Sequence, residues 1–113
     1  MIVEMRTYSI RIGAMREFLE LYAREGLALQ TQYLGSPLGY YTSEVGELSQ
    51  VIHLWRYSDM ADRERRRAAM ESDARWLAYR SKSSSQGHVV RQVNTILKEV
   101  DFAAFAAPPA STP

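Results

Sequence analysis

The stretch Tyr40-Tyr41-Thr42-Ser43-Glu44-Val45-Gly46-Glu47-Leu48-Ser49-Gln50-Val51-Ile52-His53-Leu54-Trp55-Arg56-Tyr57 decides the fold. Both ends are aromatic and β-branched, the composition of strands, and Gly46 to Ser49 between them has the length of a hairpin turn. In the second half Ile52 and Leu54 fall on one side, with Val51, His53, Trp55 and Tyr57 on the other, a period of two. Gly35, Ser36, Pro37 and Gly39 form a dense turn signal ahead of it. A hairpin therefore occupies the middle of the chain, and its flanks determine what it joins.

Upstream, Ile2 to Ile10 alternate as a strand. After Gly13, the residues Met15, Phe18, Leu19 and Tyr22 recur at i, i+3, i+4 and i+7, and Leu29 extends the stripe, which predicts a helix over about residues 14–33. Gly26 inside it costs roughly 1 kcal/mol relative to Ala, marking a bend or a close contact. Downstream, Ser58 or Asp59 can cap a helix over 59–71 whose first turn carries Asp62 and Glu64. Asp73 reads as the cap of a shorter helix with Trp76, Leu77 and Tyr79 on its apolar side. That helix is expected to end before Ser81-Lys82-Ser83-Ser84-Ser85, read as a loop. Residues 88–98 alternate again as a last strand. The sequence predicts one domain over 1–102, followed by a tail over 103–113, rich in Ala, Pro, Ser and Thr and extended or disordered unless it docks on a neighbour.

The order β, α, β, β, α, β predicts an α+β ferredoxin-like sandwich, an antiparallel sheet with strands one and three at its centre and helices on one face. Sorting the strands by polarity assigns Val3, Met5, Thr7, Ile52 and Leu54 to the helices. Glu4, Arg6, Tyr8, His53, Trp55 and Tyr57 are then left on the open face. So much aromatic surface calls for cover, which predicts two copies packing sheet to sheet.

Composition narrows the function. Lys and Arg total 14 against 13 Asp and Glu in 113 residues, a balance that gives no field for nucleic acid. The chain has no cysteine, which excludes disulfides, thiolate catalysis and cysteine-ligated clusters and suits a cytoplasmic setting. Glu4 and Arg6 interrupt any export signal, and no apolar run reaches the roughly 18 residues of a membrane span. His53 and His88 are the only imidazoles, and no metal-binding spacing accompanies them. Neither a phosphate loop nor a nucleophile elbow is present, so neither metal nor cofactor is expected.

Four blocks now line up: Glu4-Met5-Arg6-Thr7-Tyr8, Ser43-Glu44-Val45-Gly46, His53-Leu54-Trp55-Arg56-Tyr57 with Arg63, and Asp73-Ala74-Arg75-Trp76. In order and spacing they resemble the NIPSNAP family over residues 2–102. The turn departs from the family pattern, Gly46-Glu47-Leu48-Ser49 standing where Gly-Pro-x-Asn is more usual. The resemblance implies a dimeric α+β barrel, and it implies that Arg63 reaches back to pair with a strand carboxylate. Related barrels include monooxygenases without cofactors, isomerases and plain ligand binders, so the resemblance brings a fold and not a reaction.

The residue types allow two functions. One is a homodimeric module that binds a small molecule. The other is an enzyme acting on a small anionic or phenolic substrate, with His53 as general base, Arg6 as anion clamp and Tyr8 as hydrogen-bond donor. Each residue has a plain alternative. His53 can bond to Glu4 or Glu44 at an interface, Arg6 can pair with Glu4 or Glu44, and Tyr8, Tyr40 and Tyr41 can simply pack. Glu4, Tyr40, Glu44, Trp55 and Arg63 complete the expected pocket lining. Arg65, Arg66 and Arg67 interleave with Glu64 and Glu71 as a solvated helix face.

Overall fold

A computed structural model describes residues 1–106. The strands are β1 (Ile2–Ile10), β2 (Gly39–Thr42), β3 (Gln50–Tyr57) and β4 (Val89–Lys98), and the sheet order is β2-β3-β1-β4. All pairings are antiparallel, with β1 central between β3 and β4. This is the expected ferredoxin-like arrangement. The expected tail falls largely on residues 107–113, outside the described residues, and Phe102–Phe105 form a 3-10 turn.

The first helical segment is broken. Helices α1 (Met15–Leu21) and α2 (Leu27–Leu34) flank a π-helical turn at Tyr22–Gly26. The glycine explains the position of the turn: a Cβ on Gly26 would lie 2.8 Å from the Tyr79 ring and 2.9 Å from the Tyr22 ring. No larger residue permits that approach.

Helix α3 (Met60–Glu71) starts at Asp59, whose carboxylate accepts from Asp62 N at 2.7 Å. Helix α4 (Ala74–Gln86) starts at Asp73, which accepts from Arg75 N at 2.8 Å. Contrary to the expected loop, α4 runs through the serine run and stops at Gly87 in the left-handed conformation. Isolated serines favour caps and turns, but here Ser85 Oγ donates to Lys82 O at 2.8 Å. That hydroxyl is satisfied within the helix, and the helix ends where glycine can turn left.

The predicted assignment of sheet faces is inverted. Val51, His53, Trp55 and Tyr57 of β3 and Glu4, Arg6 and Ile10 of β1 are the buried residues. They lie under the helices, where Trp55 and Tyr57 join Leu21, Tyr22, Leu29, Leu34, Met70, Trp76 and Tyr79 in the main core cluster. Ile10, Ala14, Phe18 and Val51 form a second. Val3, Met5, Thr7, Ile52 and Leu54 point the other way, together with Tyr41, Val93 and Leu97. Among the described residues no helix covers that face, and Tyr41, Val93 and Leu97 remain 40–55% exposed. The physical reason is area. Trp, Tyr and His rings bury more surface than Val or Thr, and the two charges among them find partners under the helices.

Candidate functional site

Glu4 is fully buried on the central strand, and two guanidinium groups converge on its Oε2: Arg6 Nη1 at 3.1 Å from the same strand and Arg63 Nη2 at 2.8 Å from α3. A lone buried carboxylate would cost several kcal/mol. Burial alone would raise its pKa, but the Arg63 hydrogen bond and the charges of Arg6, Arg63 and Arg67 outweigh that and hold it below the ordinary range. Arg6 also donates from Nε to Tyr8 Oη at 3.0 Å. The chain therefore continues Arg63–Glu4–Arg6–Tyr8 and ends at a ring that stacks on His53.

His53 sits across from Arg6 on one side and Tyr40 on the other. Its ring lies between Tyr8 (centroids 5.1 Å apart, 20° between planes) and Tyr40 (4.8 Å, 32°). Trp55, two residues on and on the same face, donates its indole N–H to His53 Nδ1 at 2.6 Å. Nε2 is buried without a partner. Burial first, then the positive charges of Arg6 and Arg67, lower the imidazole pKa to about 3. His53 is thus neutral at physiological pH, and burial makes it a weaker proton acceptor than the free imidazole on which the general-base reading rested.

A cavity of about 280 Å³ opens beside this ring, between the sheet and the helices, bordered by Tyr8, Tyr22, Gln30, Tyr40, His53 and Tyr79. Ser83, Ser84, Gly87, Val89 and Gln92 border it too, so the serines of α4 supply small walls where larger residues would fill the space. Tyr22 Oη donates to Gln30 Oε1. Burial raises the hydroxyl pKa values of Tyr22 and Tyr40, and that of Tyr79 to about 12, so all three stay protonated at neutral pH.

Of the residues expected at the site, His53, Tyr8 and Tyr40 border the cavity. Arg6, Glu4 and Arg63 form the ion network that adjoins it through Tyr8, and Trp55 stands behind His53. Glu44 lies exposed in the β2–β3 loop and does not border this cavity. The basic helix also divides its work. Arg63 enters the core, while Arg65 and Arg66 pair with Asp62 at 3.3 and 2.9 Å. The sequence reading missed Gln30 as a site residue. Its signal was a polar side chain eight residues after Tyr22, two turns along the same helical stripe. Among the described residues no three His, Asp or Glu side chains gather as a metal site, and no helix is long and apolar enough to cross a membrane.

The family model described as NIPSNAP matches residues 3–104. The chain belongs to the NIPSNAP family. A crystal structure of a NIPSNAP family protein from Agrobacterium tumefaciens is 42% identical, with a TM-score of 0.84 over 89% of this chain and 94% of that one. Among curated NIPSNAP relatives, Protein NipSnap homolog 3B from Mus musculus is 34% identical over 74 residues, 65% of this chain. That match spans only 29% of the mouse protein. A putative antibiotic biosynthesis monooxygenase from Nitrosomonas europaea shares the fold at 14% identity, with a TM-score of 0.63 over 89% of this chain and all of that one. Between a NIPSNAP chain and that protein the likeness is of fold alone.

Proposed function

We propose that this NIPSNAP chain is a homodimeric α+β barrel that binds a small molecule in the cavity between its sheet and its helices. The observation that carries the reading is the cavity itself: about 280 Å³ lined by four tyrosines, Gln30 and His53, whose Nε2 is buried without a partner. Small-molecule sites combine mostly apolar walls with a few convergent polar groups, and this one has both. The ligand sits within one copy, not between copies. The dimer forms through the open sheet face, where the resemblance to dimeric barrels agrees with the apolar row Val3, Met5, Ile52, Leu54, Val93 and Leu97. A cytoplasmic setting belongs to the same proposal.

The enzymatic alternative survives in altered form. With Nδ1 held by the Trp55 N–H and the imidazole pKa lowered to about 3, His53 would meet a substrate as a hydrogen-bond donor rather than as the base. The test is occlusion. Ser84→Trp places a large ring at the cavity wall on an exposed helix position. A thermal-shift screen with small phenols, aromatic ketones and carboxylates should give stabilising hits with the native chain that disappear in Ser84→Trp. A hit that survives the substitution binds elsewhere and contradicts the reading.

A further inference from the structure

Trp55 determines how His53 presents itself to the cavity. An indole nitrogen is a donor only, and a neutral imidazole has one protonated and one bare nitrogen. Because Trp55 Nε1 donates to Nδ1 at 2.6 Å, Nδ1 is the bare nitrogen and the hydrogen lies on Nε2. That N–H is buried, has no protein acceptor, and belongs to a side chain bordering the cavity. An unmet buried donor is destabilising, and an acceptor arriving with the ligand would meet it. The neighbouring polar groups do not supply that acceptor. Tyr8 Oη is engaged by Arg6, and Gln30 Oε1 is engaged by Tyr22 Oη. The walls are Phe18, Tyr22, Tyr40 and Tyr79, surfaces that favour offset stacking with a flat ring.

Building on the proposed binding function, we infer that the ligand is a planar aromatic molecule with an acceptor oxygen, a ketone, quinone or phenolate, hydrogen-bonded to His53 Nε2–H. His53 is a donor in this site, and Trp55 is the residue that positions its hydrogen.

The test uses 1-indanone and indane, matched in shape and differing by the carbonyl oxygen, titrated into the full chain by calorimetry. The native protein binds indanone more tightly by roughly three- to tenfold, the range of one net hydrogen bond. His53→Phe removes that preference, and His53→Gln, whose amide keeps a donor, retains part of it. Nitrogen-15 NMR of the native histidines gives a readout that needs no variant: His53 shows hydrogen on Nε2 and none on Nδ1 at neutral pH. In Trp55→Phe the hydrogen redistributes toward Nδ1. Equal affinity for the two probes, an unchanged preference in His53→Phe, or hydrogen on Nδ1 in the native protein overturns the inference and leaves the cavity reading intact. Failure of both probes to bind at millimolar concentration overturns the cavity reading, and the inference with it.

Discussion

At the scale of single residues, Glu4 is where burial and charge balance most narrowly. It has no solvent contact and depends on Arg6 and Arg63, so removing its charge leaves two guanidinium groups facing a neutral side chain. Breaking one member of a buried pair costs about 3–5 kcal/mol. Glu4→Gln should lower the unfolding free energy by about that amount in urea, and Arg63→Ala, at the more open end of the network, by less. Acid adds a second signature. The folded carboxyl titrates below its ordinary 4.5, so its stabilising effect is complete above that value and is lost as pH falls through the folded value. His53 acts in a higher window. Its folded pKa, about 3, lies below the ordinary 6.5, so between those values the unfolded chain binds more protons and stability falls as pH drops. Comparing His53→Gln with the native chain between pH 6.5 and 5, where the contribution of Glu4 is common to both, should show a flatter dependence in the variant. Parallel curves would mean that His53 is not buried neutral. The chemistry-bearing residues were legible in the sequence because Arg6, Tyr8, His53 and Trp55 share strand parity. Their environment was not, since parity groups residues on a face without saying which face is covered.

Secondary-structure elements were read with more success, and the exceptions have local causes. Alternation found β1, β3 and β4, aromatic and β-branched composition found β2, and Asp59 and Asp73 marked both later helix starts, because those signals depend on neighbours a few residues away. The serine run misled because intrinsic preference was outweighed by packing. Trp76 and Tyr79 hold α4 on the core and carry the helix onward to Gly87. Amide hydrogen exchange should therefore show helical protection through Ser83 and Ser84, and rates typical of an unstructured loop there would contradict it. Gly26 was anticipated as a bend or a close contact, but its partner was not, because Tyr79 is more than fifty positions away in sequence. Gly26→Ala tests that contact. Helix propensity alone would stabilise the variant by roughly 1 kcal/mol, but the methyl would meet two rings at 2.8–2.9 Å, and overpacking costs typically 1–3 kcal/mol. A net fall in Tm is expected, and a rise would show that the rings yield freely.

For the whole molecule, inverting the sheet faces changes what each face is for. The residues that suggested an interface between copies instead lie under the helices of one copy, where Tyr8 and His53 border a cavity, and the apolar face with Met5, Ile52 and Leu54 becomes the surface proposed for pairing. A charge at its centre separates the two roles. Leu54→Lys should shift light-scattering mass from dimer to monomer while the cavity, on the opposite side of the sheet, still takes up 1-indanone. Loss of binding in step with loss of the dimer would instead place the ligand between copies. The most direct measurement is a crystal structure of the native protein with 1-indanone. The account predicts density between β3 and α4, stacked among Tyr22, Tyr40 and Tyr79, with the ketone oxygen at hydrogen-bond distance from His53 Nε2; density on the open sheet face, or a ketone turned away from His53, would contradict it.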